Sequence, residues 1–170
     1  MLSVPAVREL AKPLPYRTSR NDSISTQKEE QMTEKKRFEI DIDVRFRDID
    51  VMGHVNNAVF FTYFEQARVQ FFKNIFPSKN PNEFAFILAH IRCDYIKPVT
   101  LNDRPCLRIG VKALGNKSFQ FHYQLVDRAD PAIFFATAES VQVCYDYQEN
   151  RPVPVSEKLR TLLSTYLTTG

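Results

Sequence analysis

The chain has 170 residues, 44% hydrophobic and 25% charged, a length that suits one globular domain and would leave two halves each short of a core. No run approaches the roughly 20 apolar residues that cross a bilayer, and Cys93, Cys106 and Cys144 are too few and scattered for a disulfide framework or a CxxC zinc pattern. Most of the formal net charge of +3 sits in residues 1–36, where seven Lys/Arg face five Asp/Glu; the remainder, sixteen against fifteen, has no basic run of the kind that holds nucleic acid.

Residues 1–36 contain three prolines, many Ser/Thr and no hydrophobic period, which predicts a largely disordered extension. A secretory signal is excluded, because the stretch has no apolar segment. Five basic against two acidic residues over 1–28 keep a transit peptide open, but such peptides are usually poorer in acids, and an upstream extension with Met32 as a start directly before the domain is the preferred reading. The expected location is therefore the cytoplasm, with an organelle as the alternative.

The domain is expected over 37–170. Phe38, Ile40, Ile42, Val44 and Phe46 alternate with Glu39, Asp41, Asp43, Arg45 and Arg47, a strand with one wet face. A loop from Asp48 to Asn56 carries Gly53. Residues 57–76 then lack Pro and Gly, follow a cap at Asn56 or Asn57, and stop before Pro77, which predicts a helix. Its polar stripe, through Thr62, Glu65, Gln66, Gln70 and Lys73, is thin enough to predict burial on most sides. Strands are expected near 84–97, 105–114, 118–127 and 132–147, with a hairpin turn at Gly115-Asn116, and a Ser-capped helix over 156–167. One helix cannot serve as crossover for a parallel sheet of these strands, so an antiparallel sheet wrapped around it is expected, an α+β architecture.

The chemically dense stretch is 45–68. Two carboxylates, Asp48 and Asp50, precede a glycine, His54 and two asparagines at the start of the long helix. Free backbone N–H groups at a helix N-terminus favour developing negative charge. A carboxylate just upstream would attack a carbonyl or activate a water while those N–H groups hold the oxyanion. The same residues also fit an ordinary turn followed by a capped helix.

The stretch V-R-F-R-D-I-D-V-M-G-H-V-N-N-A-V-F-F-T-Y-F-E-Q-A-R resembles the signature of hotdog-fold acyl-CoA thioesterases of the 4-hydroxybenzoyl-CoA thioesterase type. Y-I-K-P-V and L-G-N-K-S-F are weaker echoes of the same family. The resemblance implies a hotdog fold, hydrolysis of a thioester to free acid and coenzyme A, and no cofactor or metal beyond coenzyme A carried in on the substrate. It makes Asp50 the catalytic carboxylate, as nucleophile or general base, and the backbone N–H near Asn57 the oxyanion donor. His54 matches the histidine of D-x-x-G-H-V-N-N motifs, including those of plant acyl-carrier-protein thioesterases, which carry Asn where this chain has Met52. That departure leaves His54 a supporting role. Glu65 matches a helix Glu near the family's site, and pairing with Arg68 is its plain alternative. Lys117 and Ser118 match positions that touch coenzyme A phosphates from the neighbouring subunit, which implies a homodimer or homotetramer acting on acyl-CoA or acyl-carrier-protein thioesters.

Asp48, His90 and His122 are expected to be structural, and the cysteines to be core or edge residues. Two other functions stay open. A hotdog hydratase or dehydratase is disfavoured because Asp50 and His54 are four apart in a glycine-containing loop. A non-catalytic acyl-CoA-binding dimer is the other, and no helix-turn-helix pattern supports a sensor of that kind.

Overall fold

The computed structural model describes residues 37–76 and 85–168. The expectation for residues 1–36 lies outside them. The described chain runs β1 (Phe38–Asp41), α1 (Asn57–Ile75), β2 (Phe86–Tyr95), β3 (Pro105–Leu114), β4 (Ser118–Asp127), β5 (Phe134–Asp146), β6 (Arg151–Pro152) and α2 (Glu157–Ser164). All strand pairs are antiparallel, in the order β1-β3-β4-β5-β2, with the two-residue β6 paired to β5. This is the α+β arrangement of a sheet around one long helix.

α1 forms where nothing breaks it. The Asn56 side chain accepts the Ala58 N–H at 2.9 Å, Lys73 lies in the last turn, and the helix ends two residues before Pro77. Its buried stripe, Phe60, Phe64, Ala67, Phe71 and Ile75, repeats every three or four residues and faces the apolar side of the sheet. That side is built from alternate residues: Leu107, Ile109 and Val111 of β3, Phe119, Phe121, Tyr123 and Leu125 of β4, and Ala136 and Ala138 of β5. Phe71 packs edge-on against Phe121 at 5.2 Å, Tyr166 at 4.8 Å and Phe38 at 5.5 Å. Deleting a buried ring of this kind costs about 3–5 kcal/mol.

The structure corrects two expectations. The first strand stops at Asp41 rather than running to Arg47, because the chain folds back in a 3-10 turn at Phe46–Asp48, and the backbone N–H of the preceding Arg45 bonds to the Asp48 carboxylate. Phe46, read as inward-facing, is 83% exposed. The outer face of α1 is also broader than expected, since Val69 joins Thr62, Glu65, Gln66, Gln70 and Lys73 in solvent. Within one chain, the helix is buried along a stripe and not on most sides.

One polar cluster sits inside the core. Arg68 Nη1 donates to Tyr123 Oη at 3.3 Å, Tyr123 Oη and Ser140 Oγ share a 2.6 Å hydrogen bond, and Gln142 Nε2 donates to Ser140 Oγ at 2.8 Å. On the far side of the sheet His122 lies over Gly110. A Cβ there would stand 2.5 Å from His122 Nε2 and 2.7 Å from Thr168 Cγ2, so any larger residue would have to displace those side chains. β2 is an edge strand, paired to β5 alone and exposed along most of its length.

Candidate active site

The loop from Asp48 to Asn56 is held closed by its own backbone. Asp50 N–H donates to the His54 carbonyl at 2.8 Å, Gly53 N–H to the Asp50 carbonyl at 3.0 Å, and Asn56 N–H to the Asp48 carbonyl at 2.8 Å. Gly53 adopts φ +79°, a left-handed conformation that favours glycine. Val55 N–H reaches the Val99 carbonyl at 2.8 Å, which ties the loop to the segment after β2.

The two carboxylates of the loop are used differently. Asp48, only 3% exposed, accepts from the Arg45 backbone N–H at 3.0 Å, Arg45 Nε at 3.2 Å and Tyr63 Oη of α1 at 3.0 Å, all at Oδ2. Burial by itself would raise its pKa, but these bonds outweigh it and hold the carboxyl below the usual range. The Tyr63 phenol is pushed far up, first by burial and then by the Asp48 charge. Asp50 instead accepts Met52 N–H at 2.8 Å and His54 N–H at 3.4 Å through Oδ1 alone. Its Oδ2 has no hydrogen bond among the described residues. The side chain of Met52 is exposed, and its contribution to the loop is a backbone N–H that any residue except proline supplies.

Asp50, His54, Asn57 and Phe60 line one cleft of about 420 Å³, with Tyr95, Ile96, Lys97 and Pro98 opposite. Two of the first N–H groups of α1 are taken: Ala58 by the Asn56 side chain and Val59 by the Asn56 carbonyl at 2.9 Å. The Asn57 N–H, at the head of the helix, is used by neither cap and belongs to the positive end of the dipole. The cleft thus brings together Asp50, whose Oδ2 has no hydrogen bond among the described residues, and the residue at the N-terminus of α1, an arrangement suited to attack on a carbonyl whose oxygen becomes negative.

The other nominated residues stand elsewhere. Glu65 is exposed two turns along α1 and makes no ion pair with Arg68, which bonds to Tyr123. Ser118 pairs with Val143 while Tyr95 pairs with Ala136, so the Lys117–Ser118 end of the sheet lies seven residues along β5 from the cleft, about 23 Å at strand rise. His90 is exposed on β2, and His122 is occupied with Gly110. Burial raises all three thiols, Cys93 up to about 11 although the neighbouring Tyr95 hydroxyl pulls it down, so none is a thiolate nucleophile at neutral pH. Among the described residues no group of His, Cys, Asp and Glu could hold a metal ion, and no helix is long and apolar enough to cross a membrane. The residues that sequence reasoning missed are Phe60, Tyr95 and Lys97. The only signal for the last two was the segment Y-I-K-P-V, read above as a weaker echo of the family.

The family model described as the thioesterase-like superfamily matches residues 44–163, the greater part of the chain and all of this site. The chain belongs to that superfamily. An uncharacterised Bacillus subtilis protein, YsmA, is 30% identical over 82 residues, covering 48% of this chain and 56% of its own length. The Escherichia coli long-chain acyl-CoA thioesterase FadM is 27% identical over 124 residues, covering 72% of this chain and 93% of its own. Among solved structures, a Thermus thermophilus thioesterase complexed with coenzyme A and Zn is 31% identical with a TM-score of 0.66, covering 75% of this chain and 92% of that one.

Proposed function

We propose that the protein hydrolyses an acyl-CoA thioester to the free acid and coenzyme A, with Asp50 as the catalytic carboxylate. The observation that carries this is the cleft that Asp50 and Asn57, the first residue of α1, both line. It is supported by membership of the superfamily and by the names of FadM and the coenzyme A-bound Thermus enzyme. Two routes use the same geometry. Asp50 attacks the thioester carbon and expels the thiolate, leaving an anhydride that water opens; or it takes a proton from a water that attacks instead. In both, the Asn57 N–H stabilises the oxygen of the tetrahedral intermediate. His54, whose carbonyl and N–H both bond to Asp50, supports the loop.

The site is completed by a second copy in this reading. Antiparallel pairing of β2 with β2 of another subunit turns one chain end for end beside the other. That brings the Lys117–Ser118 end of one sheet to the cleft end of its partner, where the lysine meets the coenzyme A phosphates. Glu65, exposed in the single chain, lies on the helix face that such pairing turns toward the partner. The acyl group then runs along α1 past Phe60.

The test is Asp50→Asn, which keeps an acceptor for the Met52 and His54 amides and removes the charge. Release of coenzyme A across a panel of acyl-CoA lengths is expected to fall by about 10³-fold or more. A folded variant with the wild-type rate overturns the assignment, as does conversion of an enoyl-CoA to its hydroxyacyl form without coenzyme A release.

A further inference from the structure

Tyr95 ends β2, the strand at the open edge of the sheet, and its side chain returns to the head of α1. Its hydroxyl donates to the Asn57 carbonyl at 3.0 Å, and its ring meets Phe60 edge-on with centroids 5.1 Å apart. The chain just beyond it is firmly placed. Ile96 and Lys97 both donate to the Phe135 carbonyl, at 2.8 and 3.1 Å, and the Val99 carbonyl accepts from Val55 in the Asp50 loop. Residues 95–99 therefore link β5, the Asp50 loop and the first turn of α1.

A first helical turn frays readily, because its N–H groups have no intrahelical acceptors. An oxyanion donor, however, is effective only at about 2.7–3.1 Å from the developing charge. The Asn57 amide thus needs something to hold the residue that carries it. The Asn56 side chain closes the cap from within the helix, and the Tyr95 hydroxyl is the contact from the opposite wall of the cleft. We infer that Tyr95 is a positioning residue: its hydroxyl holds Asn57 so that the amide at the head of α1 stays aligned on the thioester oxygen. The inference rests on the hydrolase reading above. The ring and the hydroxyl have separable tasks, since the ring packs on Phe60 and only the hydroxyl reaches Asn57. Burial raises the phenol pKa, so the donor remains protonated at any pH at which the hydrolase is assayed.

Tyr95→Phe keeps the ring and removes the one bond. The expected result is a kcat lowered about tenfold or more with KM within about twofold, because the loss falls on the transition state alone. Amide hydrogen exchange should quicken at Asn57–Phe60 and remain unchanged at Ala67–Phe71, a pattern that general loosening of the fold would not produce. Cys93→Ala removes the other group that meets the Tyr95 hydroxyl and should leave kcat at the wild-type level. The inference is overturned if Tyr95→Phe retains full kcat, if its defect lies only in KM, or if Cys93→Ala reproduces the loss. Asp50→Asn run beside it separates the two levels. An inactive Asp50→Asn with a full-speed Tyr95→Phe sinks the positioning role alone, whereas an active Asp50→Asn sinks the hydrolase reading itself.

Discussion

Asp48 and Asp50 are two residues apart in one loop, and the two sides of that loop put the same side chain to different uses. Asp48 faces inward, where Arg45 and Tyr63 surround its carboxylate, and so it fastens the 3-10 turn to α1. Asp50 faces the cleft, braced through one oxygen by backbone N–H groups, and its other oxygen has no hydrogen bond among the described residues. Both carboxylates are held through one oxygen; Asp48 is buried, with three donors on that oxygen, and has little to offer a substrate, whereas Asp50 lines the cleft and keeps its reactivity while losing its freedom to rotate. The division of labour follows from burial and from which donors each carboxylate meets.

Substitutions along the loop sharpen this contrast. Asp50→Asn, with the largest effect on turnover, should leave stability within about 0.5 kcal/mol of wild type in chemical denaturation, because no ion pair is lost. Asp48→Asn is expected to do the reverse in kind: it should cost about 1–3 kcal/mol of stability, since Arg45 and Tyr63 lose a charged acceptor in a buried place. Its acid profile should change too. The folded-state pKa of Asp48 is lowered, so its contribution to stability is present above the ordinary carboxylate value and is lost as the pH falls through the lowered one. Acid unfolding curves of Asp48→Asn should lack that component of the decline. Tyr63→Phe, which removes one donor and keeps the ring, should cost about 1 kcal/mol by the same assay. Arg45→Ala, at the half-exposed end of the network, should cost less than about 1 kcal/mol. If Asp48→Asn instead abolishes turnover in a protein of unchanged stability, the contrast between the two carboxylates fails.

Much of this was legible in the sequence, for local reasons. The bounds of β3 and β4 follow from alternation on either side of Gly115-Asn116, and those of α1 from a capping asparagine and a stretch free of Pro and Gly. The cleft residues Asp50, His54 and Asn57 are close in sequence and come together for that reason. What was illegible depends on distant partners. The alternation through Asp43 and Arg45 reads as strand, yet the chain turns there because Asp48 finds Tyr63, fifteen positions away. Tyr95 looks like any aromatic at a strand end, and its role appears only once its hydroxyl meets a carbonyl thirty-eight positions earlier. The breadth of the exposed face of α1 was hidden likewise, since Val69 is apolar and lies in solvent nonetheless.

The edge strand β2 has a consequence for how this protein must be handled. Ten residues with Leu88, Ile91 and Tyr95 on one side, and a row of backbone donors and acceptors on the free flank, make a template that any extended chain can join. The register shift between Leu88 and His90 is a modest guard, because it kinks that flank and interrupts regular addition. During refolding the edge is exposed to every neighbouring chain, so the β2–β2 pairing proposed above would compete with aggregation. The yield of native protein should therefore fall as refolding concentration rises, and charged residues placed on the flank would trade the one process against the other.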